Sequence, residues 1–199
     1  VYTYDVLTEK DEKQHVITLM SETTDINNIS VTEGRMPQES GECLADWLLE
    51  QNYGYKIGDK ITISSGDDKA IEDIVNTQTY TITGFGKTSY YLDLTRDSST
   101  IGNGSMSGFL VIPKDNFTLE AFTEIDVLVD GAGALDCYSD AYEDAVDEVT
   151  QEIKDIAGNQ CEIRYAEVVS EAQDAIAEAE TEVSDGEKKL ADAKEELED

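Results

Sequence analysis

Apolar and polar positions alternate along much of the first two thirds of this chain, then settle into a longer period. Residues 79–85, Thr-Tyr-Thr-Ile-Thr-Gly-Phe, alternate cleanly, which predicts a strand with one buried face. Short runs rich in β-branched and aromatic residues, punctuated by Gly, Asn and Asp, predict further strands at 2–7, 15–20, 42–45, 60–64, 109–112 and 125–129. Asp46 is placed to cap a short helix over 47–52 that ends near Gly54. The apolar members of these segments, Trp47, Leu48, Ile61, Ile63, Tyr80, Ile82, Phe109 and Val111, are the expected core. Residues 89–107 are rich in Ser, Thr, Gly and Asn and predict a long surface loop.

Beyond residue 140 the pattern becomes helical. Ala141, Ala145, Val149, Ile153 and Ile156 fit one face of an amphipathic helix. Gly158-Asn159 predicts its end, and 161–165 predict one more strand. A heptad follows: Val169, Ala172, Ile176, Ala179, Val183, Gly186, Leu190, Ala193 and Leu197 fall at alternating steps of three and four, a coiled-coil pattern. Helical throughout, 169–199 would span about 46 Å. One seam position carries Val, Ile, Val, Leu and Leu; the other carries Ala, Ala, Gly and Ala. Small residues at alternate positions allow axes near the lower end of the usual ~8–10 Å range. The seam therefore predicts a tight contact with a partner helix; the same residues also fit a long solvated helix that frays alone. The expected architecture is α+β: a β-rich mixed domain over 1–166 and one arm of a coiled-coil stalk over 167–199.

Charge narrows the partners. The 199 residues include 45 acidic and 14 basic ones, a formal net charge of −31. Such a surface repels phosphate backbones, so nucleic acid is not an expected partner, and anionic lipid headgroups are disfavoured too. Residues 167–199 alone hold 13 acidic against 3 basic side chains. Two identical copies would repel, especially at low salt, so a more basic helix is the better partner.

Candidate chemistry is sparse. No EF-hand spacing exists, and Asp67, Asp68, Glu72 and Asp73 read as a solvated loop. Cys43, Cys137 and Cys161 form no CxxC or zinc pattern. A helix over 138–156 would hold the last two roughly 28 Å apart, against the ~7 Å a disulfide tolerates, so idle thiols are expected. His15 is the one histidine, and nothing near it resembles a nucleophile elbow. No dinucleotide or P-loop signature is present. The expectation is a non-enzyme without cofactor or metal. The chain begins at Val1 and contains no signal peptide or apolar run of membrane-spanning length, so it is expected to be an excised part of a longer protein.

An ordered set of short motifs adds to this reading. Gly34-Arg35-Met36-Pro37 is followed by Glu42-Cys43-Leu44-Ala45-Asp46, then Gly58-Asp59-Lys60-Ile61, Tyr80-Thr81-Ile82-Thr83-Gly84, and Ile112-Pro113 four residues before Phe117. In this order and spacing they resemble the extracytoplasmic domain of MacB/FtsX-type ABC transporter permeases, with Ile112 in place of the usual Val. Residues 89–92, the Gly102-Asn103-Gly104 loop, the stretch 123–127, the helix start Leu135-Asp136-Cys137-Tyr138-Ser139-Asp140-Ala141-Tyr142-Glu143 and the charged repeat 186–199 are similar to large Gram-positive permeases with a coiled-coil hairpin in this domain. The resemblance covers about residues 26–199. Such permeases usually carry another strand-helix segment ahead of the part matched here, and a returning hairpin arm beyond it.

The resemblance implies a place on the extracytoplasmic face of the cell membrane. It implies a cognate ABC ATPase as partner through the membrane part of the full permease, and a returning coiled-coil arm as partner of the seam. The function implied is mechanotransmission: relaying ATP-driven movement to an extracellular client such as a peptide, lipid, lipoprotein or cell-wall hydrolase. A non-enzymatic cell-surface binding or adhesin module on a helical stalk is the alternative, and a secreted hydrolase is the third.

Overall fold

The computed structural model describes residues 1–92 and 94–198, with the backbone alone for 191–193 and 195–198. The chain forms two compact units, Val1–Leu128 and Val129–Asp199. The first contains β1 (Thr3–Lys10), β2 (Lys13–Ser21), β3 (Ile29–Gly34), β4 (Glu42–Asp46), α1 (Trp47–Tyr53), β5 (Lys60–Ser64), β6 (Thr79–Thr88) and β7 (Met106–Ile112). The second holds α2, Asp140–Glu198. The architecture is α+β, as expected.

β1 and β2 form a hairpin around Asp11 and Glu12, both at positive φ (51° and 61°). That is the backbone a two-residue turn needs to match strand twist. β2–β7 and β4–β6 are parallel pairs, and the other pairings are antiparallel. The strands run β6-β4-β7-β2-β1-β5, and β5 pairs again with β6, so the sheet closes like a barrel. Closure leaves few free edges for unwanted pairing. β3 lies on β6 beyond the end of β5: β5 uses Thr79–Thr81, and β3 uses Gly84–Thr88.

Burial follows from closure. β5 alternates outward and inward, with Ile61 and Ile63 buried. They pack with Val6, Ile17, Tyr80, Ile82 and Leu110 in the main core. The opposite faces of β2, β4 and β7 are also covered: Met20, Leu44, Phe109 and Val111 form a second cluster beneath Ile29, Met36 and Tyr91. All the expected core residues are buried except Trp47, which is half-buried. α1 is capped as predicted. The Asp46 side chain accepts from Leu48 N at 3.0 Å, and Gly54 takes the left-handed conformation at the other end.

Three expectations are corrected. Residues 125–129 form no strand, because among the described residues no strand pairs with them. β3 appears where no strand was predicted. Finally, Gly158-Asn159 does not stop the helix and 161–165 is not a strand; both lie inside α2, a single helix of 59 residues. Gly158 lacks the positive φ of a helix-ending glycine. A Gly and an Asn inside a helix cost about 1 kcal/mol or less each relative to Ala. Long helical runs on both sides outweigh that, and a strand at 161–165 would have no sheet to join. Ser139 stands just ahead of α2, its Oγ accepting from Tyr142 N at 3.3 Å. At ~1.5 Å per residue α2 is about 88 Å long. Among the described residues no helix is long and apolar enough to cross a membrane.

Candidate functional site

The motif residues prove to be contacts that hold the barrel together. Gly34 on β3 pairs with Gly84 on β6. Gly34 sits at φ +74°, and a Cβ there would collide with the Thr83 carbonyl oxygen. A Cβ on Gly84 would lie 2.6–2.7 Å from the Glu33 and Arg35 backbone. Two strands thus approach more closely than any side chain permits. Arg35 then forks onto both carboxylate oxygens of Glu42, which also accepts from Gln38 N at 2.9 Å. Those bonds hold the Glu42 carboxyl at a pKa of about 2. Asp59 accepts from Lys56 N at 3.1 Å and lies 3.7 Å from Lys10 Nζ. Buried Asn116 donates to Ser40 Oγ and Asn76 Oδ1, each at 2.7 Å.

Asp46 has a second role that its capping position does not reveal. Its carboxylate is fully buried and receives Arg96 Nε at 2.7 Å and Nη2 at 3.0 Å. The Arg96 side chain is 4% exposed and its guanidinium lies 4.5 Å from the Tyr91 ring centre. This cation comes from the middle of the predicted surface loop. The loop is also held by the Ser98–Ser105 bridge, by Ser99 Oγ donating to Asp5 at 2.7 Å, and by buried Ile101. It is a docked flap, with Tyr91 on the second core cluster and Ile101 packed with Val16 and Met106. Sequence reasoning missed Arg96. A lone cation in a Ser/Gly-rich stretch, one of three arginines in the chain, was the available signal.

The predicted seam residues all lie on α2. Val169 is half-buried; Ala172, Ile176, Ala179, Val183, Gly186 and Leu190 are exposed, with Ile176, Val183 and Leu190 near 60%. The side chains of Ala193 and Leu197 lie outside the described ones. The helix therefore presents a continuous apolar stripe to solvent, flanked by carboxylates. Leucine- and valine-sized side chains at this exposure are normal singly. At heptad spacing over three or more turns they form a surface that a second helix can cover. The expected boundary between residues 166 and 167 falls within this helix.

The remaining candidates show no catalytic geometry. His15 Nδ1 lies 3.3 Å from Ser107 Oγ, and its ring packs on Tyr53 at 4.3 Å. Burial, and then Lys13, lower its pKa from the ordinary value. Among the described residues no carboxylate orients the ring, as a Ser–His unit requires. Cys43 is buried in the main core, where desolvation raises its thiol pKa far above the ordinary value; Cys137 and Cys161 are exposed. Asp67 is tied to Tyr4 Oη at 2.6 Å and to Lys69 N at 3.0 Å. Among the described residues no group of three or more His, Cys, Asp or Glu is arranged to hold a metal ion. No protein-family model, curated protein or solved structure matches the chain.

Proposed function

We propose that this chain is the extracytoplasmic domain of an ABC transporter permease, a non-enzymatic relay that passes ATP-driven movement to an extracellular client. The observation that carries the reading is α2: a helix of about 88 Å in the same chain as a closed barrel, with an exposed apolar heptad stripe. A helix of that length transmits displacement along its axis, and helices in proteins draw most of their stability from packing an apolar face, so its stripe calls for a partner. Small residues at alternate positions suit a close antiparallel arm, and the acidic flanks suit a more basic one. The motif string supports the same reading. Its glycines, its Arg35–Glu42 fork and buried Asp46 are the contacts that fix the barrel, as expected of motifs that define a fold rather than a reaction. On this reading the protein sits at the outer face of the cell membrane, with a cognate ATPase acting through membrane helices.

The test uses the full-length permease with its ATPase in lipid nanodiscs. One spin label goes on exposed Cys161 and a second on Glu50→Cys, with Cys137→Ser removing the competing thiol. A label-to-label distance that shifts under ATP turnover, and not with an ATPase-dead partner, supports the relay. An unchanged distance distribution, or a full-length gene without flanking membrane segments, overturns it.

A further inference from the structure

An open groove of about 690 Å³ runs between the segment 21–26, which follows β2, and the segment 122–128. Three features meet there. Its apolar walls are exposed: Phe122 is 50%, Ile125 80% and Leu128 66% accessible, with half-buried Ile26 opposite. Its rim carries Glu22, Asp25, Glu124 and Asp126. Among the described residues no Lys or Arg lies within ion-pair distance of these four. The one basic side chain in the lining, Lys114, is placed over the Phe122 ring at 4.7 Å. Tyr90 Oη stands 2.9 Å from both Glu124 Oε1 and Asp126 Oδ2. A phenol has one proton to donate, so it holds the two carboxylates in place while satisfying only one of them. Finally, Glu124 N pairs with the Val1 carbonyl, but among the described residues the N–H groups of 125–128 donate to no backbone carbonyl. Residues 125–129 have the composition of a strand and no strand beside them.

We propose that this groove seats an extended segment of a cationic, apolar polypeptide by strand addition to residues 125–128. The incoming backbone takes up the free N–H and C=O groups. In an extended backbone Glu124 and Asp126 share one face and Ile125 lies on the other, so alternate apolar side chains lie against Ile125 and the apolar wall, and alternate Lys or Arg side chains meet the carboxylates of the rim. Backbone pairing gives affinity and the alternation gives selectivity. Charge complementarity decides among occupants: the unit over 1–128 has 22 acidic and 9 basic residues, so a second copy or an acidic segment is repelled. As a statement of client chemistry the proposal rests on the permease reading. Its test involves no ATPase, so a negative result here leaves that reading standing.

The test measures binding of a labelled, end-blocked octapeptide of alternating Lys and Val by fluorescence anisotropy, with an alternating Glu-Val octapeptide as control. The expected result is saturable binding of the Lys-Val peptide alone. Glu22→Gln with Asp25→Asn, or Glu124→Gln with Asp126→Asn, should each weaken it about five- to tenfold, the effect of losing two partly exposed ion pairs. Glu178→Gln with Glu182→Gln on α2 should change it less than about twofold, because those carboxylates are remote in sequence from the groove and fully on the helix surface. Hydrogen exchange of the 125–128 amides should slow by about tenfold or more at saturation. Three results overturn the proposal: no saturable binding, equal weakening by the groove and helix pairs, or binding that leaves those amides unprotected. Equal weakening would mean diffuse attraction to an acidic protein.

Discussion

Replacing Arg96 by Met tests the flap and the barrel together. Met keeps much of the side-chain volume and removes the charge. What remains is the Asp46 carboxylate, fully buried, with the Leu48 backbone N–H as its remaining donor among the contacts described above. Two contributions are lost and one is kept. The cation–π contact with Tyr91 is worth about 0.5–2 kcal/mol. The N-cap survives, so its ~1 kcal/mol stays. The largest is the stranded carboxylate: breaking a buried ion pair on one side costs about 3–5 kcal/mol. For a unit of this size that is a fall in Tm on the order of 10–20 °C. Hydrogen exchange should also quicken first at the Ser99 and Gly104 amides, whose bonds close the flap. Adding Asp46→Asn to Arg96→Met should recover about 1–3 kcal/mol, because Asn still caps α1 and carries no charge. The assay is urea denaturation of the single and double variants. A loss below about 1 kcal/mol for Arg96→Met would mean that water reaches Asp46. A double variant no more stable than Arg96→Met would mean that the buried charge is not the cause.

Ile82 is fully buried in the main core, so Ile82→Ala should cost about 2–5 kcal/mol in denaturant titration, and a loss below ~0.5 kcal/mol would contradict its place there. Glu42 titrates at about 2 when folded, below its ordinary 4.5. Its pairing with Arg35 therefore stabilises fully above pH 4.5 and is lost as pH falls from 4.5 to 2. The Tm gap between wild type and Glu42→Gln should be present at pH 7 and close across that window; a gap unchanged down to pH 2 refutes the assignment. On α2, circular dichroism should show the region beyond residue 183 melting at lower temperature in this chain than in a longer one that includes a returning arm, since isolated helices lean on partners. Ala179→Leu should erase that gain by wedging the arms apart without lowering the barrel's Tm, and equal melting of both chains would refute the pairing.

What was legible in the chain depends on how far apart the deciding residues lie. β5 and β6 are readable because Lys60-Ile-Thr-Ile-Ser64 and Thr79-Tyr-Thr-Ile alternate, and burial in the barrel follows that alternation. α1 is readable because its cap, Asp46, and its stop, Gly54, lie within one turn of it. β3 is not, since most of its residues are exposed and no periodic core face marks it. The opposite error arises at 125–129 and 161–165. Both have strand composition, but a strand exists only where a neighbour supplies hydrogen bonds, and composition does not say whether one is there. Gly158-Asn159 has the chemistry of a helix stop, yet the penalty is local and small while helical propagation acts over tens of residues. The same reasoning separates the two halves of Asp46. A cap bond to Leu48 is two residues away and can be inferred from position. The cation that makes its burial tolerable is fifty residues away, in a stretch whose composition reads as mobile loop. For the seam, spacing alone places the stripe on one helix face, but which helix covers it is a property of a second chain segment. The length, exposure and charge of α2 constrain the chemistry of any helix that covers it: small at the contact and more basic than α2 itself.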